Sequence, residues 1–275
     1  MNRLLAHIRA CQNARLPGKR LPFRIGAAQV GYVSPELARR IAGLARAGCG
    51  ADGLALDPAE AANLNAIART AIGGEYRARG EDFDVWASLD EKPLGVLDRG
   101  FLPAFGLIGV GVHLNGLVSR ADGPHLWVAK RAANKRLDPG KLDNVVAGGV
   151  PAGYAPFAAM LKEAGEEAAM PEALARRVRE VGRIRYAMER PEGLRRDVLI
   201  CYDIDLPEEF TPRAADGEVE SFELWPIRRV IEALRETDDF KFNVNLVLID
   251  LLIRHRLLPE TEARELRAAL DEGRI

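Results

Sequence analysis

Apolar side chains recur every three to four residues along much of the chain, and this spacing predicts helices. Ser34, followed by a proline and Glu36, is typical of a helix N-terminus. The segment 242–256 is apolar on most sides and predicts a buried helix. The predicted helices span 1–14, 35–47, 58–72, 156–169, 172–180, 226–235, 242–256 and 260–272.

Shorter apolar runs and period-two alternation predict β-strands between these helices. Two runs joined through Pro191-Glu192-Gly193 are typical of a β-hairpin. Residues 87–100 are predicted as a loop with a short helix, and His113 is interpreted as a core histidine inside a strand. The predicted strands lie within 23–33 and at 81–87, 105–118, 126–129, 145–147, 182–189, 195–206 and 218–225.

The stretch 148–170 combines a strand end, a turn at Gly148-Gly149 and a helix that carries three carboxylates. Glu163, Glu166 and Glu167 are spaced i, i+3, i+4, so they fall on one helical face. Like charges at this spacing repel by roughly a few tenths of a kcal/mol per pair. Either the face is solvated, or a cation compensates it. That cation is a neighbouring basic side chain or a divalent metal with oxygen ligands.

A basic loop precedes this acidic helix. Lys130, Arg131, Lys135 and Arg136 lie within seven residues, and Lys141 follows them. Two interpretations stay open, namely an exposed loop or a contact with phosphate. A metal that bridges phosphate oxygens, with Arg or Lys neutralising the remaining charge, suits a diphosphate.

Arginines of the first hundred residues are dispersed and predict solvated helix faces and loops rather than a site. They are Arg39, Arg40, Arg46, Arg69, Arg77 and Arg79. With 39 basic and 40 acidic residues, the net charge of −1 gives no electrostatic argument for nucleic acid or an anionic membrane as partner.

The length of 275 residues suggests one large or two modest domains. No run of about 18 apolar residues is present to span a bilayer, and the first residues are not expected to act as a secretory signal. Cys11, Cys49 and Cys201 are far apart and have no metal-ligand spacing with the histidines. They are interpreted as reduced thiols, so a cytoplasmic location is expected.

The segment beginning at Gly148 resembles the Nudix, or MutT-like, box, written G-x5-E-x7-R-E-U-x-E-E-x-G-U with U apolar. Residues 162–167 stand for R-E-U-x-E-E, and Met170 for the final apolar residue. Tyr154 replaces the first glutamate of the box, Lys162 the arginine and Ala169 the last glycine. Lys162 keeps the charge of arginine but loses its bidentate fork.

The flanking segments 127–149 and 216–255 are similar to one Nudix subfamily, which carries an extra N-terminal domain and is labelled thiamine-pyrophosphokinase-related. The resemblance implies an α/β fold, a Nudix α/β/α sandwich with a mixed β-sheet, preceded by a smaller α+β N-terminal domain. It implies an N-terminal domain of unknown role at 1–104, a Nudix hydrolase domain at 105–258 and a C-terminal helix at 259–275.

The same resemblance implies a hydrolase of phosphoric anhydride bonds that acts on thiamine diphosphate or its damaged analogues and leaves the monophosphate plus phosphate. It implies Mg²⁺, or Mn²⁺, as cofactor. Glu163 or Glu166 is expected to act as base, and an acid from another strand, Glu218 or Glu220, to complete the metal shell, with Glu220 preferred. The expected metal ligands are Glu163, Glu166, Glu167 and Glu220, and the expected substrate-binding residues are Arg131, Lys135, Lys141, Gly148 and Gly149.

Alternatives remain open at the level of the sequence. One alternative substrate is another nucleoside-diphosphate derivative, such as ADP-ribose. A second alternative is that the chain is a non-catalytic ligand-binding protein, because Tyr154 replaces a carboxylate of the box. The expected partner is a small-molecule diphosphate, with no nucleic acid and no membrane, and a homodimer is possible. No GxxxxGK[ST] phosphate-binding loop is present, so a kinase is not expected.

Overall fold

The computed structural model describes residues 2–75, 77–215, 217–273 and 275. The helices are α1 (Arg3–Cys11), α2 (Pro35–Ala42), α3 (Leu64–Ile72), α4 (Leu102–Phe105), α5 (Pro156–Ala168), α6 (Glu172–Ala175), α7 (Ile227–Glu236), α8 (Val244–Arg254) and α9 (Glu260–Asp271). Short 3-10 helices span Pro58–Asn63 and Gly73–Glu75. None of the helices in these ranges is long and apolar enough to cross a membrane.

The strands form three sheets. They are β1 (Leu21–Ile25), β2 (Ala28–Val33), β3 (Ala47–Gly50), β4 (Gly53–Leu56), β5 (Asp82–Asp84), β6 (Val96–Asp98), β7 (Ile108–Arg120), β8 (Gly123–Arg131), β9 (Leu142–Asp143), β10 (Val146–Gly149), β11 (Arg179–Arg190), β12 (Gly193–Asp205) and β13 (Val219–Pro226). A small N-terminal sheet has the order β2-β1-β4-β3, and β5 pairs with β6.

The large sheet has the order β11-β12-β7-β8-β13, with β10 paired to β7 and β9 to β8. It is mixed, because β7 and β12 run parallel while the other pairs are antiparallel. Along β12, Val198 and Ile200 pack on the side of α5, while Leu199 and Cys201 pack on the side of α8. This period-two alternation gives the sheet two apolar faces, each covered by helices. The predicted α/β/α sandwich is confirmed.

A separate core holds the N-terminal sheet together. Phe23, Leu54 and Ile41 are fully buried there, between the sheet and helices α2 and α3. Ser34 caps α2, since its hydroxyl accepts a hydrogen bond from the Leu37 N–H at 3.1 Å. The predicted cap is therefore confirmed, and this region is a smaller α+β unit.

Helix α1 does not pack in that core. Leu4 and Ile8 are fully buried against residues of α8 and α9, on the far side of the large sheet. Helix α9 belongs to the same cluster through Leu266 and Leu270. The two ends of the chain therefore meet on one face of the large sheet, and the limits at 104 and 258 remain a prediction.

Several predicted elements differ from the observed ones. The helix predicted at 35–47 ends at Ala42, because Gly43 follows and 47–50 pair with β4. The helix predicted at 172–180 ends at Ala175, because the chain from Arg179 pairs with β12 in the hairpin. The range 87–100 contains β6 instead of a helix, 58–72 begins as a 3-10 helix, and 23–33 holds two strands. Strand pairing overrides the local helix pattern at 47–50 and from Arg179 onward.

Candidate active site

Helix α5 is placed by the apolar stripe on one of its faces. Ala159, Met160, Ala164 and Ala168 are buried against the large sheet. Edge strand β10 pairs with β7 and delivers the chain to the turn before the helix. Glu167 follows the buried Ala164 by three residues and Met160 by seven, so it shares their face and its side chain turns into the protein.

Glu167 is buried, at 6% exposure. Its carboxylate accepts a hydrogen bond from the Ala147 N–H at 2.9 Å, which ties α5 to strand β10. Burial raises the pKa of Glu167 well above its usual range, and the nearby anions Asp143, Glu163 and Glu218 raise it further. An anion at this position therefore requires a cation beside it.

Glu163 lies one helical turn earlier and closes over the glycine turn. A Cβ atom at Gly148 would come within 2.5 Å of the Glu163 carboxylate carbon, so only glycine leaves room for this carboxylate. Burial raises the pKa of Glu163, and Glu166 and Glu218 act in the same direction, while Lys162 opposes them. The predicted role of Gly148 in close approach thus has a geometric basis, although the structure places a side chain rather than a substrate there.

Glu166 is the exposed member of the acidic face. It accepts a hydrogen bond from the Lys162 ammonium at 2.6 Å, and this bond raises the pKa of Lys162 to about 12. Lys162 also lies 3.4 Å from Glu163. Lys162 therefore partly neutralises the face, as one of the two compensating cations considered for the sequence.

The start of strand β13 places Glu218 and Glu220, the two further acids predicted as metal ligands, in different surroundings. Glu218 lines the same cavity as Glu163 and forms an ion pair with Lys135. Glu220 lies at a bulge between the pairs Val219–Arg131 and Ser221–Lys130. Its carboxylate forms an ion pair with the Lys130 ammonium at a distance of 2.7 Å, and neither residue lines the cavity. The bulge breaks the period-two register that placed both acids on one strand face, so Glu218 and not the preferred Glu220 lines the cavity.

Two of the three basic residues predicted to bind phosphate line the cavity, and the third does not. Lys135 lines the cavity. Arg131 lines it as well, but its guanidinium is engaged by Asp143 at 2.7 Å and by the carbonyl oxygens of Leu137 and Asp138, so it braces its own loop. Lys141 donates to the Asp238 carbonyl oxygen outside the cavity, so this expectation is not met.

Gly149 has a different neighbour from Gly148. A Cβ atom at Gly149 would lie 2.3 Å from the Phe83 ring, so the N-terminal strand β5 packs directly on the glycine turn. Tyr154, which replaces a carboxylate of the Nudix box, is 47% exposed and lies outside the cavity lining.

A buried polar chain runs inward from the cavity. The His113 ring contacts the Asn144 side chain at 2.9 Å, and Asn144 donates to Asn115 at 2.8 Å. Asn115 in turn donates to Asp203 at 2.9 Å. Burial lowers the pKa of His113 to about 4, so the ring is neutral at physiological pH. The interpretation of His113 as a core histidine is confirmed, and the ring also reaches the cavity wall.

One cavity of about 1050 Å³ is lined by Glu163, Glu166, Glu218, Arg131, Lys135, Gly148, Gly149 and His113. Both halves of the chain line it, and several of its charged residues were not recognised in the sequence. These residues are Arg79, Glu81, Arg99, Arg190, Glu192, Arg195, Asp197 and Lys241. Arg79 belongs to the arginines predicted as solvated; it is exposed, as predicted, and it also lines the cavity. No sequence signal links these positions, because they are distant in the chain and only the fold brings them together.

The donor set suits a divalent cation in kind, since carboxylate oxygens are the ligands that Mg²⁺ and Mn²⁺ prefer. Glu218 lies close enough to raise the pKa of both Glu163 and Glu167, and Glu163 raises that of Glu167, so a cation between them would relieve this repulsion. Within the described ranges, no three His, Cys, Asp or Glu side chains already converge on one point. Ion binding therefore requires these carboxylates to turn towards a common centre.

Comparison with known proteins shows what the part of the chain that forms the large sheet is similar to. Residues 111–245 match the sequence model of the family described as NUDIX domain. The chain is 42% identical over 184 residues to Nudix hydrolase 20, chloroplastic, of Arabidopsis thaliana, covering 66% of this chain and 49% of that protein. It is 41% identical over 184 residues to Nudix hydrolase 24, chloroplastic, of the same plant, covering 66% and 50%. The crystal structure of DR0079 from Deinococcus radiodurans aligns at a TM-score of 0.47 with 19% identity, over 61% of this chain and 97% of that one.

The chain spans about half the length of the curated relatives it matches. The family match begins within β7 and ends within α8, so it contains α5, β10 and β13 with the acidic residues of the cavity. The N-terminal sheet lies outside it. The cavity-lining residues Glu163, Glu166 and Glu218 therefore lie within the part of the chain that is similar to the NUDIX domain family.

Proposed function

We propose that the chain is a metal-dependent hydrolase of phosphoric anhydride bonds in small-molecule diphosphates. One observation carries this proposal. Glu163, which α5 turns inward, lines a single cavity with Glu166, Glu218 and the basic residues Lys135 and Arg136. The buried Glu167 lies close enough to Glu163 and Glu218 for both to raise its pKa. Acidic groups for a metal and basic groups for phosphate are the two requirements of phosphoryl transfer.

Nudix enzymes generally use divalent metals. Glu163, Glu167 and Glu218 would hold the ion here, and a bound ion supplies a polarised phosphoryl oxygen and a water of lowered pKa. Glu163 or Glu166 takes the proton from the attacking water. Lys135 stands beside Glu218 and neutralises phosphate charge, and Lys162 holds Glu166 in place.

The substrate that we propose first is thiamine diphosphate or a damaged analogue of it, by the resemblance of the flanking segments to the thiamine-related Nudix subfamily. Hydrolysis adds water across the anhydride bond and yields thiamine monophosphate and phosphate. The second candidate is a nucleoside-diphosphate derivative such as ADP-ribose. The cavity volume of about 1050 Å³ accommodates either class.

A substrate panel distinguishes these candidates. Phosphate and nucleotide release are measured with thiamine diphosphate, oxythiamine diphosphate, ADP-ribose and dNTPs, each titrated with Mg²⁺ and Mn²⁺. We expect the highest kcat/KM with a thiamine-type diphosphate. A higher value with ADP-ribose would transfer the proposal to nucleoside-diphosphate derivatives, and binding of a panel member without turnover under either metal would overturn the enzymatic proposal.

A further inference from the structure

Four arginines from separate parts of the chain line the cavity. Arg79 and Arg99 come from the N-terminal region, Arg136 from the loop after β8, and Arg195 from β12. Burial lowers the pKa of Arg79, and Arg99, Arg136 and Arg195 lower it further, so these three lie near Arg79 in the cavity that all four line. Like charges gathered in this way favour binding of an anion.

Two of the four are already neutralised. Arg99 forms an ion pair with Glu81, and Arg195 forms one with Asp197 at 2.9 Å. In the part of the chain that the structure describes, the guanidinium groups of Arg79 and Arg136 make no hydrogen bond or ion pair. These two cations remain available to a ligand.

Asp98, the acid nearest to Arg79, does not neutralise it by contact. The Asp98 carboxylate is buried and accepts hydrogen bonds from the backbone N–H groups of Arg79, Gly80 and Gly100 at 2.7–2.9 Å. This cradle fixes the backbone at Arg79 and leaves the guanidinium group to the cavity. The arginine is therefore held on a rigid support, which reduces the entropy lost on binding a ligand.

The same N-terminal segment is fastened to the glycine turn before α5. The Ala152 N–H donates to the Asp82 carbonyl oxygen at 2.8 Å, and the Gly153 N–H donates to the Asp84 carboxylate at 3.0 Å. Arg99 lies close enough to Glu218 to lower the pKa of that carboxyl. The arginine group and the acidic group are therefore neighbours within one cavity.

We infer that Arg79 and Arg136 form a subsite for a phosphoryl group of the diphosphate, so that the N-terminal region completes the substrate site of the NUDIX domain. The inference rests on the proposed function. A guanidinium group binds phosphate oxygens in a bidentate manner, and two groups facing one phosphoryl distinguish a diphosphate from a neutral ligand. Arg79 thus makes the region outside the family match a determinant of specificity.

Binding of methylenediphosphonate, a diphosphate analogue with no hydrolysable bridge, tests the inference. Its Kd is measured by calorimetry with Mg²⁺ on the full chain, for the wild type, Arg79→Ala, Arg136→Ala and the control Arg77→Ala. Arg77 is an exposed arginine two residues from Arg79 that does not line the cavity. We expect each cavity variant to bind about tenfold or more weakly, because one charge-assisted contact is lost. We expect Arg77→Ala to bind as the wild type does, and Arg79→Lys to recover part of the loss.

Unchanged binding by Arg79→Ala, or an equal loss in Arg77→Ala, would overturn the inference. Melting temperatures without the ligand control for folding, and we expect all variants to match the wild type. The two proposals fail separately. Loss of binding in Arg79→Ala, with no hydrolysis of any panel diphosphate, supports the subsite and contradicts the enzyme. Hydrolysis by Arg79→Ala with the wild-type KM contradicts the subsite and supports the enzyme.

Discussion

Glu163 and Glu167 are two carboxylates that helix α5 turns towards the protein interior, and burial raises the pKa of both. Ionising either one without a cation nearby is costly, and the two repel one another. A buried acidic pair of this kind stabilises the fold little by itself. Glu163 lines a cavity with basic walls, an arrangement that is instead suited to binding a cation together with an anionic substrate.

Replacing Glu167 with Gln is expected to stabilise the metal-free protein, and increasingly so as the pH rises above about 4.5. The pKa of Glu167 is higher in the folded state than in the unfolded state, so the folded protein retains a proton that the unfolded chain releases. Wild-type stability then falls with pH by up to about 1.4 kcal/mol per pH unit from this group, and the variant escapes that loss. Chemical denaturation in EDTA between pH 4 and pH 8 measures the difference.

Glu172→Gln serves as the control for that series, because Glu172 is exposed and, among the described residues, pairs only with Arg176, which follows the end of α6. Its stability relative to the wild type is expected to stay constant across the pH range. A Glu167→Gln variant whose advantage shrinks as the pH rises would show that Glu167 is ionised and compensated without metal.

Gly149→Ala is expected to destabilise the protein by about 1–3 kcal/mol, since the added methyl group would lie 2.3 Å from the rigid Phe83 ring. Gly165→Ala is the matched control. It lies in α5 with open space around its Cβ position, so alanine should stabilise the helix by about 0.5–1 kcal/mol. Denaturant titration of both variants measures the effects, and equal stability of the two would refute the packing of β5 on the glycine turn.

At the scale of single elements, strand β13 determines which acid reaches the cavity. Its bulge sends Glu218 and Glu220 to different surroundings, although the two are only two residues apart. Glu218→Gln is expected to weaken Mn²⁺ binding by roughly tenfold or more, because a candidate ligand is lost. Glu220→Gln is expected to leave it unchanged. Calorimetry with Mn²⁺ compares the two, and a larger loss in Glu220→Gln would restore the acid that the sequence favoured.

The elements that the sequence predicted well are those whose pattern agrees with their final packing. Helix α5 and the β11–β12 hairpin are local structures with clear periodicity and clear turn residues. The helix predicted at 172–180 is wrong because residues from Arg179 gain hydrogen bonds from a partner strand. Glu220, which the sequence favoured, lies outside the cavity because a bulge shifts the strand by one residue, which alternation alone does not reveal.

At the scale of the whole molecule, the chain crosses between its two halves more than once. Helix α1 packs with α8 and α9 and not in the N-terminal core. Strand β5, which belongs to the N-terminal region, contacts the glycine turn before α5 through Phe83. The cavity lies where these parts meet. Arg79 has no neighbour in sequence that marks it as a binding residue, so its role was not predictable from the residues alone. The acidic helix was predictable because all its members lie within five residues.

Leu4→Ala is expected to destabilise the protein by about 2–5 kcal/mol, because Leu4 is fully buried against the far side of the large sheet. Amide hydrogen exchange should quicken first in α8 and α9, and less in the N-terminal sheet. Leu44→Ala, at a side chain that is 50% exposed, should change neither stability nor exchange. Faster exchange confined to β1–β4 in Leu4→Ala would contradict the placement of α1.

Metal-dependent hydrolysis by the wild type, Glu167→Gln and Glu172→Gln tests the central claim most directly. Release of phosphate or nucleotide from the best diphosphate of the panel is measured while Mg²⁺ or Mn²⁺ is titrated. The wild type and Glu172→Gln should show the same metal-dependent activity, and Glu167→Gln should lose roughly a hundredfold or more of kcat. Full activity of Glu167→Gln at saturating metal would contradict the account, because the buried carboxylate of α5 would then play no part in holding the ion.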